Sequence, residues 1–260
     1  MAKNTFRSKT PPPAKVAQAP APPRFASVRV RLKRMLIRFT IFFFASTIGA
    51  VILFKFVPVP FTVTMLSRKI DAIAEGKNSK IYYDWTPYSE ISREAPLAVV
   101  AAEDQLFPEH MGFDFKSMNT AFERNMKGKK IRGASTISQQ VAKNVFLWQT
   151  RSYIRKAIEV YFTVLIELIW GKQRILEVYL NVAEMGDMTF GVEEASKRYF
   201  GKAAINLTRE QAARIAAVLP SPRKWSINKP GPYVVRRTGQ IARQMRALGG
   251  PAYLNNLRKF

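Results

Sequence analysis

The chain has 260 residues, with 42 Lys and Arg against 18 Asp and Glu, a formal net charge of +24, no cysteine and one histidine. Length allows one or two domains. The absence of Cys excludes a disulfide scaffold, a thiolate zinc site and a cysteine nucleophile, and a single His excludes a multi-His metal site; acid–base chemistry on this chain falls to carboxylates.

Charge is unevenly spread. Ten basic residues and no acidic one lie in the first 38 positions, Lys55 stands alone, and from residue 60 onward 31 basic residues face 18 acidic ones, a net +13. Residues 11–23, PPPAKVAQAPAPP, hold six prolines and cannot form a core or a continuous helix. Phe39–Phe54 carries no charge. Sixteen residues are short for a span of about 20, but Met35–Arg38 and Lys55–Val57 extend the segment because Arg38 and Lys55 can reach the interface. Pro58 and Pro60 then end the helix. Expected are a basic, disordered cytoplasmic tail over 1–34, a transmembrane helix over 35–57 and a periplasmic domain over 58–260, oriented by the positive-inside rule. The long basic stretch and the lack of a small-residue cleavage pattern argue against a signal peptide.

Beyond the span the patterning is helical. Pro96–Phe107, Ser135–Leu147, Ser152–Trp170, Lys172–Ala183, Val192–Tyr199, Thr208–Leu219 and Pro232–Leu248 read as helices, with Thr208 and Gln211 a capping pair and Gly249–Pro251 a stop. A short hairpin is expected around Ile81–Trp85. The fold class predicted is all-α, with little β structure.

Four segments could carry chemistry. Glu103 shares a helix face with Val99 and Leu106, so a carboxylate there loses solvation, its pKa rises and it suits a general base. Asp104, about 100° round the same helix, does not pair with it. Thr136, Gln140, Lys143 and Leu147 fall on one stripe of hydroxyl, amide and ammonium able to grip a phosphate or sugar, and Gly133 and Ser135 stand at the helix start, where free N–H groups favour anions. Arg155 and Glu159 are spaced i, i+4 on a mostly apolar helix, readable as a helix salt bridge or as a second buried carboxylate beside phosphate-binding cations. Glu177 and Asn181 read as scaffold groups tying loops together. His110, the lone histidine after a helix end, reads as structural.

In order, these segments are E-D-x-x-F-x-x-H-x-G-x-D at 103–114, G-A-S-T-I-x-Q-Q-x-x-K-N at 133–144, R-K-x-x-E at 155–159, K-x-x-I-L-E-x-Y-L-N at 172–181 and G-x-x-x-A-S-x-x-Y-F-G-K at 191–202. Together they resemble the five motifs of the peptidoglycan glycosyltransferases of glycosyltransferase family 51. The likeness runs over roughly residues 80–230, and the lack of a transpeptidase domain makes the chain similar to the monofunctional members. The resemblance implies a lysozyme-like two-lobed fold, head and jaw, behind one N-terminal transmembrane helix in the bacterial inner membrane. It implies polymerisation of lipid II, with a β-1,4 bond formed by inversion and undecaprenyl pyrophosphate released. Glu103 matches the general base and Glu159 a second essential carboxylate. Lys143 and Arg155, with Lys156 adding charge, match pyrophosphate-binding groups. Thr136 and Gln140 match donor-site residues, and Asp104, Phe107 and His110 hold Glu103 and the cleft in shape. A divalent metal, Mg or Mn, is compatible with this set, but carboxylates alone do not establish one. The partners implied are lipid II, the growing glycan strand and membrane lipids, with cell wall synthesis or division proteins by resemblance only, and no nucleic acid.

Two other readings share some of these features. A lytic muramidase of lysozyme type would use two carboxylates to cleave glycan, but has no need of Lys143, Arg155 and Lys156 beside them. A non-catalytic, membrane-tethered cationic binding protein is supported by net charge alone.

Overall fold

The computed structural model of the chain describes residues 24–126, 135–150 and 152–257; the Pro-rich stretch 11–23 and Gly133 lie outside them. Helix α1, Arg24–Phe56, contains the 29-residue candidate span Val28–Phe56, whose most apolar 18-residue stretch has a mean hydropathy of 2.1. It begins before the expected boundary, so residues 24–34 are helical, not disordered. No proline interrupts the sequence from Arg24 to Val57, and Arg, Leu, Lys and Met there favour a helix. The described residues up to Thr47 form one compact unit, and those from Ile48 onward belong to a second.

Within the second unit the end of α1 is tied down. Phe56 is its last residue, with Pro58 and Pro60 beyond. Arg174 donates to the carbonyl of Phe54 at 2.8 Å, supplying a partner to one of the last carbonyls of the helix. The Trp170 indole N–H donates to the carbonyl of Val51 at 2.6 Å.

Helices α2 (Val63–Ala74), α3 (Glu94–Glu103), α4 (Phe115–Met126), α5 (Ile137–Phe146), α6 (Tyr153–Ile169), α7 (Gly171–Val182), α8 (Val192–Phe200), α9 (Arg209–Val218) and α10 (Pro232–Ala247) follow. The all-α expectation holds. Sequence reading missed α2 and α4. Helix α2 begins at Thr62, whose hydroxyl accepts from the N–H of Met65. It turns Leu66, Ile70 and Ile73 outward, beside the charged Lys69 and Asp71, while Met65, Arg68 and Ala72 are buried.

The hairpin lies elsewhere than expected. Strands β1 (Tyr82–Tyr83), β2 (Glu184–Gly186) and β3 (Thr189–Phe190) form a sheet ordered β1-β3-β2, in which β2 and β3 are antiparallel and β1 runs parallel to β3. Local alternation around Ile81–Trp85 marks a strand but cannot reveal a partner a hundred residues away.

Helix α3 is apolar all round, and Ala95 through Ala101 are all buried. It packs against α7, α9 and α10, while α5 packs against α6 and α7. Helix α7 is thus shared between the helices around α3 and those around α5. There Gln140 of α5 lies between Glu103 of α3 and Tyr179 of α7.

Candidate active site

Glu103 is the last residue of α3, at the end of a helix whose residues Ala95 to Ala101 are all buried. Burial raises its pKa from the ordinary carboxylate value. A hydrogen bond from Gln140 and the more distant charges of Arg237 and Lys143 oppose the rise in part, and Asp104 adds to it. Gln140 Nε2 donates to Glu103 Oε2 at 2.9 Å, and the Tyr179 hydroxyl donates to Gln140 Oε1 at 3.3 Å. Tyr179 thereby fixes which end of the amide faces the carboxylate. Sequence reading placed Tyr179 in the motif at 172–181 but gave it no role.

The helix expected to continue to Phe107 stops at Glu103, because Asp104 turns out of it (φ −159°). Its carboxylate is drawn to the start of α5: Oδ2 accepts from the backbone N–H of Ile137 at 2.9 Å, and Oδ1 bonds His110 Nε2 at 2.9 Å. An acid at a helix N-terminus meets unpaired N–H groups and the positive end of the dipole. His110 Nδ1 accepts from the backbone N–H of Gly112 at 3.1 Å, so that nitrogen carries no proton and Nε2 is the donor to Asp104. The histidine thus bridges Asp104 and Gly112. The buried ring of Phe107 lies edge-on to it, centroids 6.2 Å apart.

Gln140 also lines a cleft of about 340 Å³, together with Ser135, Gln139, Lys143, Gln149, Arg155, Lys156 and Glu159. Five predicted site residues therefore share one cavity, and Glu103 is bonded to one of them. Glu159, 3% exposed, accepts from Arg155 Nη1 at 2.6 Å and from Lys156 Nζ. The i, i+4 and i, i+3 spacings on α6 put both cations on one carboxylate. Ser135, expected at the helix start as an anion-favouring position, lines the cleft; Gln139 and Gln149 were missed, Gln139 inside a quoted motif and Gln149 with no sequence signal.

Thr136 is placed differently from the rest. It is the N-cap of α5, its hydroxyl accepting from the N–H of Gln139 at 3.2 Å and donating to the carbonyl of Gly112 at 2.7 Å, with the Gln139 side chain closing a capping box. It is 3% exposed and does not line the cleft. Its hydroxyl is engaged in holding α5 to the 104–112 loop. The scaffold reading of α7 agrees with the geometry: Asn181 bonds both the N–H and the carbonyl of Thr86, and Glu177 accepts from the N–H of Tyr88.

A divalent ion finds little to bind here. Both oxygens of Glu159 are engaged by cations, and among the described residues no group of three His, Cys, Asp or Glu side chains converges. The donor set does not fit a protein-held metal, and no chemical step is routed through one.

Known proteins match this sequence over most of its length. The family described as Transglycosylase matches residues 69–246. A "Biosynthetic peptidoglycan transglycosylase" of Pseudomonas entomophila (strain L48) is 50% identical over 226 residues, covering 87% of this chain and 96% of that protein. Proteins of the same name from Chromohalobacter salexigens and Xanthomonas axonopodis pv. citri are each 49% identical, covering 85% and 90% of this chain and 96% and 94% of their own. Half-identity over nearly the whole length of these relatives, with all five motifs in order, makes this chain a member of the transglycosylase family.

Proposed function

We propose that the chain is a peptidoglycan glycosyltransferase that polymerises lipid II into glycan strands for the cell wall. The observation that carries this reading is the cleft in which Gln140, bonded to Glu103, stands beside Lys143, Arg155 and Lys156. In this reading Glu103 takes the proton from the 4-hydroxyl of the acceptor GlcNAc. That oxygen attacks C1 of the MurNAc at the reducing end of the growing strand from the face opposite the pyrophosphate. The C1–O bond breaks with its electron pair leaving on undecaprenyl pyrophosphate, and the configuration inverts. A raised pKa suits Glu103 to a base working near neutral pH. The leaving group departs already ionised, so it calls for cations more than for a general acid.

Lys143, Arg155 and Lys156 bind the pyrophosphate. Glu159 holds Arg155 and Lys156 in place. Gln140 orients Glu103 toward the acceptor. Asp104, His110 and Phe107 fix the end of α3 against the start of α5, and Thr136 does the same from α5.

The apolar helix α1 serves as a single-pass anchor in the inner membrane, with the basic N-terminal side cytoplasmic and the catalytic unit periplasmic. The exposed Leu66, Ile70 and Ile73 of α2 and Val160, Val164 and Leu168 of α6 lie against lipid, keeping the cleft near a membrane-bound substrate. Phe146 and Leu147 belong to the core, Phe146 stacking on Phe162 at 4.4 Å, while Trp148 is exposed and faces the headgroups. Association with wall-synthesis or division proteins rests on the family resemblance alone.

The test is polymerisation of labelled lipid II in detergent by the full-length wild type and by Glu103→Gln. Loss of a general base lowers the rate by roughly 10²–10⁴-fold, so the wild type makes polymer and the folded variant nearly none. Cleavage of preformed glycan without polymer from lipid II would replace this reading with the muramidase.

A further inference from the structure

A buried ion pair lies beneath the candidate site, away from its cleft. Glu167 near the end of α6 and Lys172 near the start of α7 are each 1% exposed, and Lys172 Nζ donates to Glu167 Oε1 at 2.7 Å. The same oxygen accepts from the hydroxyl of Ser138, itself 0% exposed, in the first turn of α5. Lys172 also sets its ammonium 4.3 Å from the centre of the Phe107 ring. Neither group lines the cleft that holds Glu159.

Two charges withdrawn from water are costly, and well-packed apolar residues in their place are often as stable or more so. Stability alone gives a weak reason for the pair; its contacts give a stronger one. From α6 and α7 it reaches α5, which carries Gln140 and Lys143, and through Phe107 it reaches the loop after Glu103. Glu167 also walls the next turn. A Cβ on Gly112 would lie 3.0 Å from Glu167 Cγ and 2.7 Å from Thr163 Cγ2, so there is no slack between that turn and α6. Gly112 in turn donates to His110, which bonds Asp104, the neighbour of Glu103.

We propose that Glu167 and Lys172 are positioning residues for Glu103 and Gln140: the charged pair sets the spacing of α5, α6, α7 and the 104–112 loop at which Gln140 meets the carboxylate. This rests on the transferase reading above. Directional ionic bonds to Ser138 and to the Phe107 face fix that spacing, whereas apolar contacts would let the elements slide.

The test compares full-length wild type, Glu167→Gln and the triple variant Ser138→Ala/Glu167→Met/Lys172→Met in lipid II polymerisation, with Tm and the folded fraction measured in parallel. The triple variant removes the three bonded groups together, and its Tm is expected within a few degrees of wild type or above it. Its kcat per folded molecule is expected to fall at least tenfold with KM within about twofold, since the pyrophosphate cations are untouched. A kcat that recovers together with Tm would overturn the proposal, because a merely structural pair is replaceable by any well-packed core. Should the triple variant fail to fold, Glu167→Gln decides: it keeps the shape and the Ser138 contact, its kcat per folded molecule is expected to drop by the same tenfold, and a wild-type kcat would overturn the proposal. Absence of polymer from the wild type itself would instead refute the transferase reading, so the two failures are distinct.

Discussion

Gly112→Ala probes the loop behind Glu103 most directly. Gly112 has φ +83°, and an added Cβ would approach Thr163 Cγ2 to 2.7 Å and Glu167 Cγ to 3.0 Å. The left-handed backbone alone costs an L side chain about 1–2 kcal/mol. Forcing a methyl into a closed site adds about 1–3 kcal/mol, so the substitution should destabilise by about 2–5 kcal/mol. At roughly 2–4 °C per kcal/mol for a domain of this size, Tm should fall by about 4–20 °C. Gly76→Ala is the internal control: Gly76 has φ +64° with nothing within 4 Å of its Cβ, so only the backbone cost of about 1–2 kcal/mol applies. The assay is thermal unfolding followed by circular dichroism, with lipid II polymerisation measured well below each Tm. The Gly112→Ala variant should also lose activity, because Gly112 bonds His110 and Thr136 bonds Gly112. Equal Tm for the two variants, or a wild-type rate for Gly112→Ala, would refute the argument that this turn is wedged against α6 and holds the site.

Three further outcomes are expected. Because burial raises the pKa of Glu103, the folded state keeps that proton longer than the unfolded one, so stability from this group is full below the ordinary carboxylate value of 4.5 and is lost as pH rises through the raised value. Glu103→Gln lacks this loss, so its Tm relative to wild type should climb from acid to neutral pH; a difference that does not vary with pH would count against a raised pKa. Arg155→Ala removes a charged bond in which both side chains are largely buried and should cost about 2 kcal/mol, whereas the Lys156 side chain is 45% exposed and its removal should cost roughly 0.5 kcal/mol; denaturant titration separates them, and equal costs would contradict the argument that burial sets the worth of each bond to Glu159. Tyr179→Phe removes the donor that orients the Gln140 amide and should cost about 1 kcal/mol while lowering kcat several-fold; an unchanged kcat would show that the amide needs no such restraint.

The five motifs stood in the sequence, and with them Glu103, Glu159 and the cations, because family resemblance and i, i+4 spacing are both properties of a one-dimensional string. The raised pKa of Glu103 was legible in the apolar run before it, because a carboxylate sharing a helix face with apolar residues loses solvation. Legibility failed where a residue's role depends on what faces it. Thr136 reads as a site hydroxyl on its stripe, yet its position at the N-cap engages it with Gly112 and Gln139. Asp104 looks like one more residue of a helix to Phe107, yet the free N–H of Ile137 draws it out of that helix.

The sequence by itself determined the apolar span, the helical class, the positions of the chemical groups and, through resemblance, the family. Composition and short-range periodicity encode these directly. Tertiary packing decided the convergence: that Gln140 lies between Tyr179 and Glu103, that β1 pairs with β3, and that Glu167 and Lys172 meet beneath Phe107. Each of these joins separate elements or depends on a side chain's surroundings. Such contacts form only when helices pack, and no local pattern in the chain carries their geometry.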